Sequence, residues 1–225
     1  MSYRHRLRDA MNSIAFTARP VCLAAVFSLA LGGCALPEKP VRPVMYDFGP
    51  GLLATPPTNR MAPLAPLALA DIEAGGPLDS TAVLYRLGYA DAQQLRPYAQ
   101  ARWSMPPPQL LRQRLRETLG QRRTLLSPEE AAALSRGNGA LPRTLRIELE
   151  EFSQLFESAS QSIGLLRLRA TLVESTPGGE RILAQRSVIA QRPAPSADAP
   201  GGVRALTAAA DAAVGEIADW LQQVP

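Results

Sequence analysis

Side chains that carry out chemistry are nearly missing from this sequence. Its 225 residues include one histidine and two cysteines, and Lys39 is the only lysine among 24 basic residues. All four of these residues sit near the N-terminus, at His5, Cys22, Cys34 and Lys39. Everything beyond residue 39 therefore lacks the imidazole or thiol of Ser-His-Asp and Cys-His sites. It also lacks the amine of a Schiff base or Ser-Lys dyad. The same shortage excludes His/Cys zinc sites and a Walker loop, whose lysine reaches the phosphates. Carboxylates are the catalytic groups that remain. Aromatic residues are few, at 5%, so the places where they cluster are informative.

What is present begins with a patterned N-terminus. Arg4, Arg6, Arg8 and Arg19 precede an eleven-residue apolar run, Val21–Leu31, interrupted only by the small Ser28. The run fits a signal-peptide core and falls short of the roughly 20 residues that a membrane span takes. Leu31-Gly32-Gly33-Cys34 follows directly. Small residues before a cysteine, with Leu31 and Gly33 at these offsets, resemble a bacterial lipobox. The resemblance implies cleavage before Cys34, a diacylglyceryl group on its thiol and acylation of the new amine. The plainer readings are an ordinary secretory cleavage site or an uncleaved anchor. Acyl chains contribute about 0.8 kcal/mol per buried CH₂, so several on one cysteine anchor a protein without a spanning helix. Ala35 follows the cysteine where an acidic residue would mark inner-membrane retention. By the same resemblance, the expected location is the periplasmic face of the outer membrane.

Removal of residues 1–33 changes the charge balance. Four arginines leave together with Asp9, taking the net charge from +4 to about +1. A near-neutral exported chain lacks the clustered basic surface of a nucleic-acid binder. Cys22 is lost and Cys34 is acylated, so no disulfide is expected although the compartment permits one. Residues 34–43, with Pro37, Pro40 and Pro43, read as a lipidated tether. Nine extended residues reach about 28 Å. The rest, 44–225, has the length of a single domain that buries enough surface to fold on its core alone.

Within that domain, Met45–Phe48 is a short strand candidate, and the proline-rich stretch from 52 to 66 reads as a loop. Leu67–Ile72 and Ala82–Arg86 are further strand candidates, and Tyr89–Leu95 turns the chain back toward Arg96–Trp103. Pro106-Pro107-Pro108 leads into a helix with Leu111, Leu115 and Leu119 on one face. Ser127-Pro128-Glu129-Glu130 is a capping box for a second helix. Leu145, Ile147 and Leu149 alternate with charged residues, as do Leu166, Leu168, Ala170 and Leu172. Both runs read as half-buried strands. A turn at Pro177-Gly178-Gly179 leads to a third strand, Arg181–Gln191, making an antiparallel meander. An apolar stripe from Val203 to Leu221 predicts a long final helix packed on the sheet. The expected class is α+β: an antiparallel sheet with helices mainly on one face and a long C-terminal helix.

Several of these residues recur together in a known family. The lipobox, Tyr46-Asp47-Phe48, Val83-Leu84-Tyr85-Arg86, Tyr98, Arg102-Trp103 and the proline-led Leu/Arg helix resemble the PqiC-type auxiliary lipoproteins of ABC transporters. That resemblance implies an outer-membrane-anchored, non-enzymatic periplasmic subunit of a lipid transport system. Its partners would be an MCE-domain protein and an ABC permease/ATPase, with the membrane reached through Cys34. Ring-forming partners are compatible with a homo-oligomer. No cofactor or metal is implied. The alternatives are a stand-alone lipid- or solute-binding lipoprotein and a structural envelope or secretion-system lipoprotein.

Tyr85, Arg86, Arg102 and Trp103 are the candidate partner interface, because aromatic and arginine residues are enriched at binding hot spots. In the alternative reading, Tyr85 and Trp103 fill the core and the arginines pair with Asp91 or Glu117. Arg112, Arg116, Arg122 and Arg123 are either a basic stripe for phospholipid headgroups or a solvated helix face. Glu148, Glu150 and Glu151 stand close in sequence. On an alternating strand, Glu148 and Glu150 face solvent.

Overall fold

The computed structural model describes residues 42–51, 64–138 and 141–224. The signal segment, Cys34 and the tether up to residue 41 lie outside them, as do residues 52–63 of the proline-rich loop. In chain order the elements are β1 (Val44–Tyr46), β2 (Leu67–Ala74), a 3-10 turn (Gly76–Asp79), β3 (Ala82–Leu87) and β4 (Asp91–Trp103). Then come α1 (Pro107–Leu119), β5 (Leu125–Leu126), α2 (Pro128–Asn138), β6 (Arg143–Phe156), β7 (Ser162–Thr176), β8 (Gly179–Pro193) and α3 (Ala199–Gln223).

β6, β7 and β8 form the meander that the alternation predicts, and each strand is longer than the alternating run within it. Leu145 lies opposite Leu172, Ile147 opposite Ala170 and Leu149 opposite Leu168. Leu168 in turn faces Val188, and Leu166 faces Ala190. Alternate side chains therefore line one apolar face. Gly179, at φ +119°, makes the turn into β8, a backbone angle that favours glycine.

β7 runs along one edge of β6, and two strands share the other. β2 is parallel to residues 143–149 of β6, and β3 is parallel to residues 154–156, with Tyr85 opposite Gln154. β4 returns antiparallel on β3, β1 lies parallel on β4, and β5 lies parallel on β2. The eight strands make one mixed sheet, antiparallel through the long hairpins and parallel where the N-terminal strands join β6. Those parallel joins depend on where the chain crosses over, which local alternation does not encode.

Helices α1 and α3 pack against each other, α1 on β2 and α3 on β6, β7 and β8. Leu111, Leu115 and Leu119 of α1 are buried. The capping box of α2 is formed: Ser127 N–H donates to Glu130 Oε2 at 2.7 Å, and Glu130 N–H donates to Ser127 Oγ at 3.2 Å. Helix α3 starts four residues before the expected Val203. The Asp198 carboxylate accepts from the Gly201 N–H at 2.7 Å, and Pro200 occupies the first turn. Every expected stripe residue of α3 is buried, from Val203 and Leu206 to Trp220 and Leu221. Charged side chains alternate to the opposite face of the sheet. There Arg167 and Glu150 pair at 3.0 Å and Arg146 and Glu180 at 2.6 Å.

Helix α3 approaches β7 closely at Gly164. A Cβ at that position would lie 2.5 Å from the Ala205 carbonyl carbon. Backbone on both sides leaves no flexible side chain to yield. Gly164→Ala is expected to cost about 1–3 kcal/mol by overpacking. Calorimetry should register that as a melting temperature lower by about 2–12 °C.

Candidate functional site

Arg86 of β3 sits between β4 and β6 and uses its whole fork. Nε donates to Glu151 Oε1 at 3.2 Å and Nη2 to Glu151 Oε2 at 3.0 Å. Nη1 donates to the carbonyl oxygens of Ala92 and Gln93 at 3.1 and 3.2 Å. One guanidinium thus ties β6 to the first residues of β4. Glu151 is only 8% exposed and also accepts from Ser153 Oγ at 2.6 Å.

A bulge explains why this carboxylate is there. Alternation from Leu145 would put Glu151 on the apolar face with Leu149. The ladder instead shifts by one residue between Leu149 and Glu151. The extra residue carries Glu151 across to the side of Arg86 and places Phe152 opposite Leu166. The pairing expected for the arginines is thereby corrected. Arg86 pairs with Glu151, while Glu117 pairs with Arg114 at 3.6 Å. The Asp91 carboxylate accepts from the Gln93 N–H. Arg102 folds back on its own strand and donates to the carbonyls of Tyr98 and Ala101. Glu148 and Glu150 face outward, as the alternation predicts, and pair with Arg169.

Next to Arg86, the Tyr85 ring lies 4.6 Å from that of Tyr98 and 6.0 Å from that of Phe156. The Tyr98 hydroxyl donates to Gln154 Oε1 at 2.8 Å, and Gln154 Nε2 donates to Ser162 Oγ at 2.8 Å. Gln154 is fully buried, a placement that is tolerable because its amide is engaged at both ends. Burial first, then the neighbouring Tyr85 and Asp198, push the Tyr98 phenol well above its usual range. It is a fixed hydrogen-bond donor at neutral pH.

Trp103 is completely buried. Its ring meets Phe48 edge-on at 5.6 Å and Phe152 at 5.6 Å. Phe48 arrives from β1, and Arg114 Nη2 donates to its carbonyl while Arg114 Nε lies 3.3 Å from Asp211 of α3. This aromatic cluster therefore seals the segment that follows the tether onto the core and both long helices.

The four candidate interface residues fall into two roles. Tyr85 and Arg86 are neighbours beside β6. Arg102 and Trp103 end β4, and Trp103 offers no surface. Among the described residues, large exposed apolar side chains stand at Val44 and Met45 of β1, opposite Ala101 and Arg102, and also at Tyr89 in the β3–β4 turn, at Leu141, and at Ile182 and Ile189 on β8. Gln154, Ser162 and Arg114 belong to this cluster and escape a sequence reading, while Glu151 stood out as one of three neighbouring carboxylates and only its pairing was hidden by the bulge. Arg114 did carry a signal, since it interrupts the Leu111–Leu115 stripe. Gln154 and Ser162 carried none, because only the β6–β7 register brings them together. Among the described residues no group of three His, Cys, Asp or Glu stands together to hold a metal ion. Arg86, Glu151, Tyr98 and Gln154 are all engaged by other protein groups, an arrangement that fixes shape.

Similar folds exist among solved structures. Protein XCC0632 from Xanthomonas campestris superposes with a TM-score of 0.64 at 19% identity, over 80% of this chain and 96% of that one. A second, uncharacterized protein superposes with a TM-score of 0.54 at 13% identity, over 80% and 99%. At these identities the likeness is one of fold. No curated protein sequence is significantly similar. The family model for the ABC-type transport auxiliary lipoprotein component matches residues 46–218. That match runs from the end of β1, through the Arg86 and Trp103 clusters, to the last turns of α3, and the chain belongs to the ABC-type transport auxiliary lipoprotein family.

Proposed function

We propose that this protein is a non-enzymatic lipoprotein subunit held at the periplasmic face of the outer membrane through acylated Cys34. There it serves an MCE/ABC-type system that moves lipids between the membranes. The observation that carries the reading is the family match over residues 46–218, downstream of a lipobox-like cysteine at residue 34. Its partners are an MCE-domain protein with its ABC permease and ATPase. The docking surface lies around β3 and β4. Tyr89 and the accessible parts of Tyr85 and Arg102 meet the partner, while Arg86 and Trp103 hold that surface in shape. A homo-oligomer matches a ring-shaped partner by symmetry.

The rival reading, a stand-alone lipid carrier, requires an apolar pocket. The cleft between α1 and β2, about 510 Å³, is walled by Asp71, Asp79, Arg112 and Arg116 beside Met105 and Pro108. Such walls suit a lipid tail poorly. Co-purification of the full chain from crosslinked, detergent-solubilised envelopes tests the proposal. Recovery of an MCE-domain protein with a permease and ATPase supports it. Recovery of the chain alone with stoichiometric lipid transfers the reading to the carrier.

A further inference from the structure

Arg122 and Arg123 follow α1 where the chain turns toward β5. Both are half-buried, and the Nε of each is buried without a hydrogen-bond partner. Arg122 Nη1 donates to Gln222 Oε1 at 2.7 Å at the end of α3, but that amide is neutral. Arg112 also has a buried Nε without a hydrogen-bond partner, but it lies 3.2 Å from Asp71, and Arg114 lies 3.3 Å from Asp211. Among the described residues, Arg122, Arg123 and the exposed Arg116 of α1 have none within ion-pair distance. The Leu64 N–H donates to the Arg122 carbonyl and brings no charge to the pair.

Two neighbouring guanidiniums without a counter-charge oppose each other. Burial first, and the charge of Arg122 second, lower the pKa of Arg123. A guanidinium nonetheless keeps its proton at neutral pH, so the pair cannot shed its charge as lysines would. Both side chains are half-exposed, so an external anion can reach the pair and balance it.

We propose that Arg122 and Arg123 bind a phosphomonoester. A phosphomonoester carries a charge of about −1.5 to −2 near pH 7 and presents three acceptor oxygens. Two arginine forks match both its charge and its geometry. A carboxylate or a phosphodiester brings half the charge. Gln222 accepts from Arg122 and holds that fork in place. The source is either a lipid headgroup that ends in a phosphomonoester or a soluble phosphate. The site is independent of the transport reading, which stands whether or not the site exists.

Thermal unfolding of the full chain in non-ionic detergent tests the proposal at matched ionic strength. The probes are sodium chloride, inorganic phosphate, dihexanoyl phosphatidic acid and dihexanoyl phosphatidylcholine. A ligand that binds only the folded state raises the melting temperature. Phosphatidic acid, inorganic phosphate or both are expected to raise it by several degrees over chloride, with phosphatidylcholine inert. A larger rise with phosphatidic acid than with equal phosphate identifies a headgroup site, and equal rises identify a soluble one. The rise should vanish in Arg122→Gln/Arg123→Gln. Should that variant not fold, Arg123→Gln alone should weaken the response severalfold. The proposal is overturned if neither phosphate probe exceeds chloride on the wild-type chain, if phosphatidylcholine acts as strongly, or if the rise survives the substitutions.

Discussion

Arg86→Ala should lower the unfolding free energy by about 3–5 kcal/mol, the cost of leaving one member of a buried ion pair alone. That corresponds to a melting temperature lower by about 6–20 °C for a domain of this size. The reason is the partner left behind. The side chains of Arg86 and Glu151 are 21% and 10% exposed, so Glu151 would keep its burial and lose its counter-charge. The Ala92 and Gln93 carbonyls would lose their donor as well. Arg86→Met combined with Glu151→Leu removes both charges and should recover most of the loss, since apolar replacement of a buried pair is often neutral. A loss below about 1 kcal/mol for Arg86→Ala, the value for an exposed pair, would contradict the structural role. If partner co-purification disappeared with stability intact, Arg86 would instead belong to the docking surface itself.

Cys34→Ala should have the largest effect on location and none on the fold. On the proposed anchoring, loss of this thiol removes every acyl chain, since no other cysteine follows residue 34. Labelled palmitate should no longer be incorporated, and the protein should leave the outer-membrane fraction. The melting temperature of the domain should match that of the wild type, because residues 42–225 form a compact unit of their own. Continued sedimentation with the outer membrane would show that anchoring does not run through Cys34.

Much of the architecture was legible in the residues, for physical reasons that also mark the limits. The alternation of Leu145, Ile147 and Leu149, and of Leu166, Leu168, Ala170 and Leu172, reports one-sided burial, and the β6–β7–β8 meander followed from it. The stripe along α3 and the Ser127–Glu130 box did the same for the helices. The alternation broke after Leu149, where the sequence Glu150-Glu151-Phe152-Ser153 conceals a bulge. A period-2 reading cannot count the inserted residue, so the partner of Arg86 stayed hidden. The parallel joins of β2 and β3 to β6 were equally hidden, being set by long crossovers. In the candidate cluster, Tyr85, Arg86 and Trp103 stood out by type. Gln154 and Ser162 are ordinary polar residues made significant by register alone. The unbalanced charge at Arg122 and Arg123 emerged only once the carboxylates near the other arginines had been located.

The central claim is that the folded domain serves by docking to a transport partner. Photo-crosslinking in living cells tests it most directly, with benzoylphenylalanine placed at the exposed Tyr89 and Ile189 and at the buried Leu166 as control. The account predicts an adduct with an MCE-domain protein from Tyr89 and none from Leu166. If Tyr89, at normal protein levels, captured only unrelated envelope proteins or nothing, the account would be contradicted.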